Sequence, residues 1–171
     1  MPDQTIPGAT LAVVIPTRDE RENIAPLYER LCAALQGIDW EAIFVDDDSS
    51  DGTPDIVLRL AASDRRVRLL RRIGRRGLSS ACVEGIQASA TPFIAVIDAD
   101  LQHDESLLPR MLAVLQNEPV DIVVGSRYAA DGGVGDWSRQ RARLSALAVR
   151  LSRRLLSVPL SDPVSGFFML R

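Results

Sequence analysis

The sequence predicts an α/β fold, a three-layer sandwich with a mostly parallel central sheet, on two observations. Short runs of apolar, often β-branched residues recur through the first 125 positions without polar alternation, the pattern of strands buried on both faces. Between them lie segments whose apolar residues repeat at helical spacing, so strand and helix alternate along the chain. At 171 residues, 46% of them hydrophobic, the chain reads as one domain, 1–171, able to bury a real core.

The predicted strands are LAVVIP (11–16), AIFVD (42–46), VRLL (67–70), FIAVID (93–98) and DIVVG (121–125). The first helix is marked by Ile24, Leu27, Leu31 and Leu35, and the second by Thr53 as N-cap with Pro54 at the first helical position. GLSSACVEGIQASA and ESLLPRMLAVL supply two more, the latter with Pro109 near its start. A glycine-rich loop, AADGGVGDW, then leads into SRQRARLSALAVRLSRRLL, where Leu144, Leu147, Leu151 and Leu155 share a helical face and arginines take much of the rest. That stripe reads as packing on the sheet, with contact to a membrane surface as its alternative. In parallel sheets of this kind ligands bind beyond the carboxyl ends of the strands.

A net charge of −3 is mild, but positive charge gathers late: from Trp137 onward Arg139, Arg141, Arg143, Arg150, Arg153, Arg154 and Arg171 face Asp162 alone. Such a tail favours phosphates or an anionic surface. Nucleic-acid binding is set aside, because the chain is acidic overall and its basic tail has no interleaved aromatics. Cys32 and Cys82 lie far apart with no CxxC spacing, which indicates neither a disulfide framework nor a zinc site and fits a reduced, cytoplasmic setting. No apolar run reaches the roughly 18 residues that span a bilayer, and the first eight residues lack the layout of a signal peptide. The chain is expected to be soluble or peripheral to a membrane. Its abrupt end, SGFFMLR, is expected to be a cut in a longer protein.

Familiar phosphate motifs are missing: there is no GxxxxGK[ST], and GRRG at 74–77 is not a GxGxxG after the first strand. Two acidic loops stand at strand ends instead, VDDDSSDGT (45–53) and DADLQHD (98–104). The first imitates an EF-hand from Asp47 through Gly52, but Leu58 falls where a bidentate Glu is required. The second places His103 at the glycine position and Pro109 at the last, so neither is a calcium loop.

What remains is a D-x-D-x-Q cluster, Asp98, Asp100 and Gln102, which in an extended segment project to one side. Hard oxygen donors suit Mg²⁺ or Mn²⁺, which complete their shell with water and substrate phosphates. The competing reading is that Asp98 and Asp100 merely cap a helix and solvate a turn. His103 is expected to be an incidental exposed loop histidine and Asp46 a cap for its strand end. Ser165 and Gly166 are expected to turn tightly beside the site, with Asp162 orienting them. Gly74 to Gly77 reads either as a flap over phosphates or as a solvated turn.

The ordered blocks VVIPTRDE, FVDDDSSDGT, GLSSA, DADLQHD, GSRY and SDPVSGFF, spanning residues 11 to 170, resemble glycosyltransferase family 2, and within it the dolichol (polyprenyl) phosphate mannose synthase group. The resemblance implies a GT-A (Rossmann-like) fold and an inverting transfer of a hexose, mannose or glucose, from a GDP- or UDP-sugar to a polyprenyl phosphate. It implies a divalent cofactor, Mg²⁺ or Mn²⁺. By position, Pro16, Arg18 and Glu20 would line the nucleotide, Val45 and Asp47 would touch base or ribose, and Asp98, Ala99 and Asp100 would lie along ribose and diphosphate. Asp100 and Gln102, with Asp98 beside them, would hold the metal. Arg127 in GSRY and Arg141 in WSRQRARLS would hold the acceptor phosphate and with Asp100 form the catalytic set, although Arg139 or Arg143 replaces Arg141 under a small shift of alignment. The reaction would then take place at the inner face of the membrane, with the protein peripheral to it.

Four departures mark this chain: Arg18 stands for a usual Tyr, Asp48 for Gly or Asn, GLSSA lacks a second glycine, and Phe168 replaces an expected Arg. Related enzymes also continue past this point with interface or transmembrane helices. Two other readings stay open on the residues, a family 2 enzyme with a saccharide hydroxyl acceptor and a non-catalytic nucleotide-sugar binding module.

Overall fold

The computed structural model describes residues 8–125 and 165–171. The chain runs β1 (Leu11–Thr17), α1 (Arg21–Ala34), β2 (Trp40–Asp46), α2 (Thr53–Ser63), β3 (Val67–Arg71), α3 (Leu78–Gln87), β4 (Phe93–Val96), a 3-10 turn (Glu105–Leu107), α4 (Leu108–Asn117), β5 (Ile122–Val124) and β6 (Phe168–Leu170). The strand order is β3-β2-β1-β4-β6-β5, with β1 to β5 running one way and β6 antiparallel to both its neighbours. All five predicted strands are present within a few residues of their expected bounds. The sixth was not read from the sequence, because three residues in SGFFMLR are too short to separate from a turn.

Every residue of β1 and β2 is buried, as continuous apolar runs require. Alternate side chains therefore feed two cores. Leu11, Val13, Ile15 and Phe44 pack with α1, α2 and α4 on one face; Ala12, Val14, Ile43 and Val45 pack with α3 on the other. This is the expected three-layer arrangement. Gly85 lets α3 settle onto the sheet, since a Cβ there would stand 2.3 Å from Val14 Cγ1 and 2.9 Å from Val45 Cγ2.

The start of α2 differs from expectation. Gly52, in the left-handed region at φ 92°, is the cap residue, and Thr53 is already helical. The Thr53 hydroxyl is occupied elsewhere: it donates to Asp51 Oδ1 and accepts from the Glu20 backbone N–H at 2.9 Å. Predicted features in the span 126–164, including Arg127, Arg141, Asp162, the glycine-rich loop and the arginine-rich helix, lie outside the described residues. Among the described residues no helix is long and apolar enough to cross a membrane, and Cys32 and Cys82 are both free thiols.

At the amino ends of the strands a polar knot ties α1 to the connection before β3. Tyr28 donates to Asp64 Oδ2 at 2.5 Å, while Arg66 grips the same carboxylate through Nε and Nη2 and lies 4.8 Å above the Trp40 ring. The Arg66 guanidinium holds the Asp64 carboxyl well below the usual carboxylate range, against the opposing cost of burial; burial, then the bond to Asp64, pushes the Tyr28 phenol up. A folded-state value depressed in this way contributes stability above the unfolded pKa of about 3.9 and loses it as pH falls toward the folded value. Asp64→Asn is expected to lower the urea midpoint at neutral pH and to flatten its decline below about pH 4, read by unfolding titrations across pH.

Candidate active site

The chain passes from β1 through β2 to β3 on one side, then crosses over to lay β4 against the other edge of β1. At that switch point the loops after neighbouring strands diverge and leave a crevice. A cleft of about 370 Å³ opens there, lined by Pro16, Thr17, Arg18 and Glu20 after β1, Asp47 after β2, Gly77 and Leu78 at the start of α3, and Asp98, Ala99 and Asp100 after β4. Seven of the residues singled out from sequence thus share one cavity: Pro16, Arg18, Glu20, Asp47, Asp98, Ala99 and Asp100.

Two do not. Val45 is fully buried, with its side chain in the apolar cluster beneath α3, because its position in β2 points it away from the crevice. Gln102 is exposed and does not line the cleft. The extended D-x-D-x-Q geometry is corrected here: the strand ends at Val96, Ala99 and Asp100 lie in a turn, and Leu101 adopts φ 61°. Asp100 Oδ1 accepts the Gln102 N–H at 3.1 Å, so a side-chain-to-backbone bond outcompetes extension.

The acidic loop after β2 is largely consumed by structure. α1 has no side-chain cap of its own, and the loop supplies one from 30 or more residues away. Ser49 Oγ accepts from the Asp19 N–H, Thr53 Oγ1 from Glu20 and Asp51 Oδ2 from Arg21. In return Asp19 Oδ1 accepts the Ser50 N–H, and Asp46 Oδ2 accepts the Ser49 N–H at the strand end, the capping role expected of Asp46. This explains the crowding of Asp, Ser and Thr without a metal in that loop.

Asp47 is held by a residue that sequence reasoning missed. Arg72, the residue after β3, is only 2% exposed. Its Nη1 donates to Asp47 Oδ1 and to the Gly77 carbonyl, and its Nε lies 3.2 Å from Glu84 Oε1. Asp47 Oδ2 accepts the Gly77 N–H at 2.7 Å, so the loop before α3 closes onto the end of β2. The pattern RRIGRR offered no means of telling the one buried arginine from three exposed ones.

The other wall of the site comes from the reversed strand. Gly166 packs directly against Asp98, where a Cβ would stand 1.9 Å from Oδ2. Phe167 is buried and lies 5.3 Å, ring to ring, from His103, whose Nε2 is 3.5 Å from Asp98 Oδ2. His103 is therefore not the exposed histidine the sequence implied; its side chain is 8% exposed, wedged between Phe167 and Asp98. Phe168 packs against the α3-side cluster, an apolar role where a cationic one was the family expectation. Burial, together with the nearby Asp98 charge, pushes the Cys82 thiol up, which makes it a poor nucleophile.

Among the described residues no group of three His, Cys, Asp or Glu side chains is arranged to hold a metal. Asp98 and Asp100, both opening on the cleft, still fit a divalent cation of the Mg²⁺ or Mn²⁺ kind, which takes one or two carboxylates and draws its remaining ligands from water and phosphate.

The sequence matches the glycosyl transferase family 2 profile over residues 12–171. A dolichol-phosphate mannosyltransferase of Pyrococcus furiosus is 39% identical over 165 residues, covering 94% of this chain and 46% of that protein. One from Saccharomyces cerevisiae is 37% identical over 164 residues, covering 94% and 60%. The chain spans about half the length of the curated relatives it matches. Among solved structures, a mannosyltransferase of Pyrobaculum calidifontis in complex with GDP-Man and Mn²⁺ superposes with a TM-score of 0.60 at 24% identity, over 67% of this chain and 34% of that one. Glucosyl-3-phosphoglycerate synthase of Mycobacterium tuberculosis with UDP gives 0.69 at 18% identity, over 95% and 57%. These neighbours share the fold.

Removing Arg72 would strand the buried Asp47 carboxylate, whereas Glu84 keeps its pair with Arg75. Arg72→Met is expected to cost about 3–5 kcal/mol, read from urea unfolding, with Asp47→Asn/Arg72→Met recovering part of the loss.

Proposed function

The chain belongs to glycosyl transferase family 2, and on that premise we propose that it carries the catalytic cleft of an inverting enzyme that moves a hexose, mannose or glucose, from a GDP- or UDP-sugar to a polyprenyl (dolichyl) phosphate. The observation that carries this reading is the cleft at the β1/β4 switch point, where Asp47, Asp98 and Asp100 face one cavity with Arg18 and Glu20. The identity to dolichol-phosphate mannosyltransferases along 94% of the chain supports the choice of donor and acceptor class.

In this reading the nucleoside lies along Pro16, Arg18, Glu20 and Asp47, with Asp47 oriented by Arg72. Arg18, half-exposed and loosely paired with Asp19 at 3.9 Å, is available to a phosphate or the base. Asp98 and Asp100 would hold a divalent cation, Mg²⁺ or Mn²⁺, with Gln102 entering only if its loop turns inward; when bound, such an ion neutralises charge on the departing diphosphate. Gly166 keeps the space beside Asp98 clear, and Phe167 and His103 fix that carboxylate's position.

The acceptor needs no carboxylate base. A phosphate monoester with a second pKa near 6 is already a dianion around neutral pH. Its oxygen attacks the anomeric carbon as the bond to the nucleoside diphosphate breaks, the electron pair leaves on the β-phosphate oxygen, and attack from the opposite face inverts the centre. The obstacle is repulsion between two phosphate groups, roughly 1 to 4 kcal/mol per charge pair at 4 Å between water-like and surface-like screening. Arg127 and Arg141 are the residues we assign to offset it, since guanidinium forks suit phosphate oxygens. The reaction belongs at the inner, cytoplasmic face of a membrane, with this domain peripheral to it.

Calorimetric titration with GDP, UDP, GDP-mannose and UDP-glucose, each with Mn²⁺ and with chelator, tests the donor half. One nucleotide family is expected to bind and to be lost with chelator; no metal-dependent binding by any of them overturns the reading. Asp100→Ala is expected to lower transfer to a short-chain polyprenyl phosphate by about 10² to 10³-fold. Gly166→Ala, acting only through Asp98, is expected to weaken Mn²⁺-dependent nucleotide binding by about tenfold or more.

A further inference from the structure

β3 ends at Arg71, and the chain reverses in a turn closed by the Arg75 N–H donating to the Arg72 carbonyl at 3.3 Å, with Gly74 at φ 68°. Turn tips select Gly, Asn, Asp and Ser. Here the tip presents Ile73, 71% exposed, and the segment ends in Leu78, 58% exposed. Arg71, Arg75 and Arg76 are exposed alongside them.

The segment is well anchored from beneath. Arg72 is buried under it on Asp47 and the Gly77 carbonyl, and the Gly74 N–H donates to Asp48 Oδ2 at 3.4 Å. A braced support thus holds an isoleucine out in water, so its exposure follows from the turn geometry and not from slack packing. At its far end Gly77 and Leu78 line the cleft, which places the tip beside the cleft's mouth.

We propose that residues 71–78 dock this domain onto an anionic lipid bilayer. Ile73 and Leu78 enter the interfacial layer while Arg71, Arg75 and Arg76 reach lipid phosphates, their aliphatic stems covering the apolar pair. One apolar contact binds a bilayer weakly; stable attachment combines it with basic charge, and both are present within eight residues. Arg76 has no ion pair among the described residues, Arg71 stands 3.9 Å from Asp46 and Asp48, and only Arg75 is closely paired, with Glu84. Charge complementarity selects this occupant over a second copy of the chain, since a two-fold contact through the tip would bring the same arginines together. The proposal extends the lipid-acceptor reading and rests on it only for the direction the cleft must face.

The test is co-sedimentation of the chain with phosphatidylcholine vesicles, with and without phosphatidylglycerol. These vesicles contain no polyprenyl phosphate, so the result is independent of the transfer assay and of nucleotide binding. The protein is expected to bind the anionic vesicles, with Ile73→Asp and Arg76→Glu each lowering the partition coefficient about tenfold and added salt weakening the wild type. Circular dichroism and urea unfolding of each variant serve as the folding control. Ile73→Trp is expected to retain binding and to give a blue-shifted emission on anionic vesicles, as an indole at the interface does. Failure of the wild type to bind, binding unaffected by Ile73→Asp, or a dimer in sedimentation that Ile73→Asp dissociates would each overturn the proposal.

Discussion

A guanidinium removed from water at the carboxyl end of the sheet must be neutralised where it stands, and the pair Arg72–Asp47 meets that requirement. The pair does more than cancel charge. Because Arg72 also reaches the Gly77 carbonyl and Asp47 accepts the Gly77 N–H, one ion pair joins the end of β2, the end of β3 and the start of α3. The cleft's wall at Asp47 and Gly77, the exposed turn at Ile73 and the first turn of α3 all take their positions from it.

The opposite wall depends on a different constraint, the reversed strand β6 lodged between β4 and β5. Its approach brings Gly166 against Asp98 and Phe167 against His103 and Gly125, and the contacts at Asp98 and Gly125 are possible only because a glycine stands where a side chain would collide. Residues separated by about 70 positions therefore set the orientation of one carboxylate. The acidic loop after β2 behaves in the same way at the other end of the site, lending Ser49, Asp51 and Thr53 to cap a helix that has no cap of its own. Polar residues that look like ligands in sequence are divided, in three dimensions, between those that satisfy backbone donors and those that face the cavity.

The strands and helices were legible because burial on both faces leaves a continuous apolar run and a helix leaves a repeat of three to four, and both are local signals. The acidic loops were legible as candidates for a cleft because ligands gather at the carboxyl ends of parallel strands, and Asp47, Asp98 and Asp100 do open on one cavity there. The extended geometry from Asp98 to Gln102 was misread, because Leu101 turns at φ 61°. His103 was misread as exposed because its cover, Phe167, comes from a strand too short to recognise.

The sequence by itself determined the alternation of strand and helix and the two strands buried on both faces, since each rests on residue type and spacing within one segment. Only the tertiary structure decided that Arg72 is buried while Arg71, Arg75 and Arg76 are not, that Val45 belongs to the core, and that Gly166 shapes the Asp98 pocket. Those outcomes depend on which distant group supplies the countercharge or occupies the space, and that pairing is a property of the folded chain.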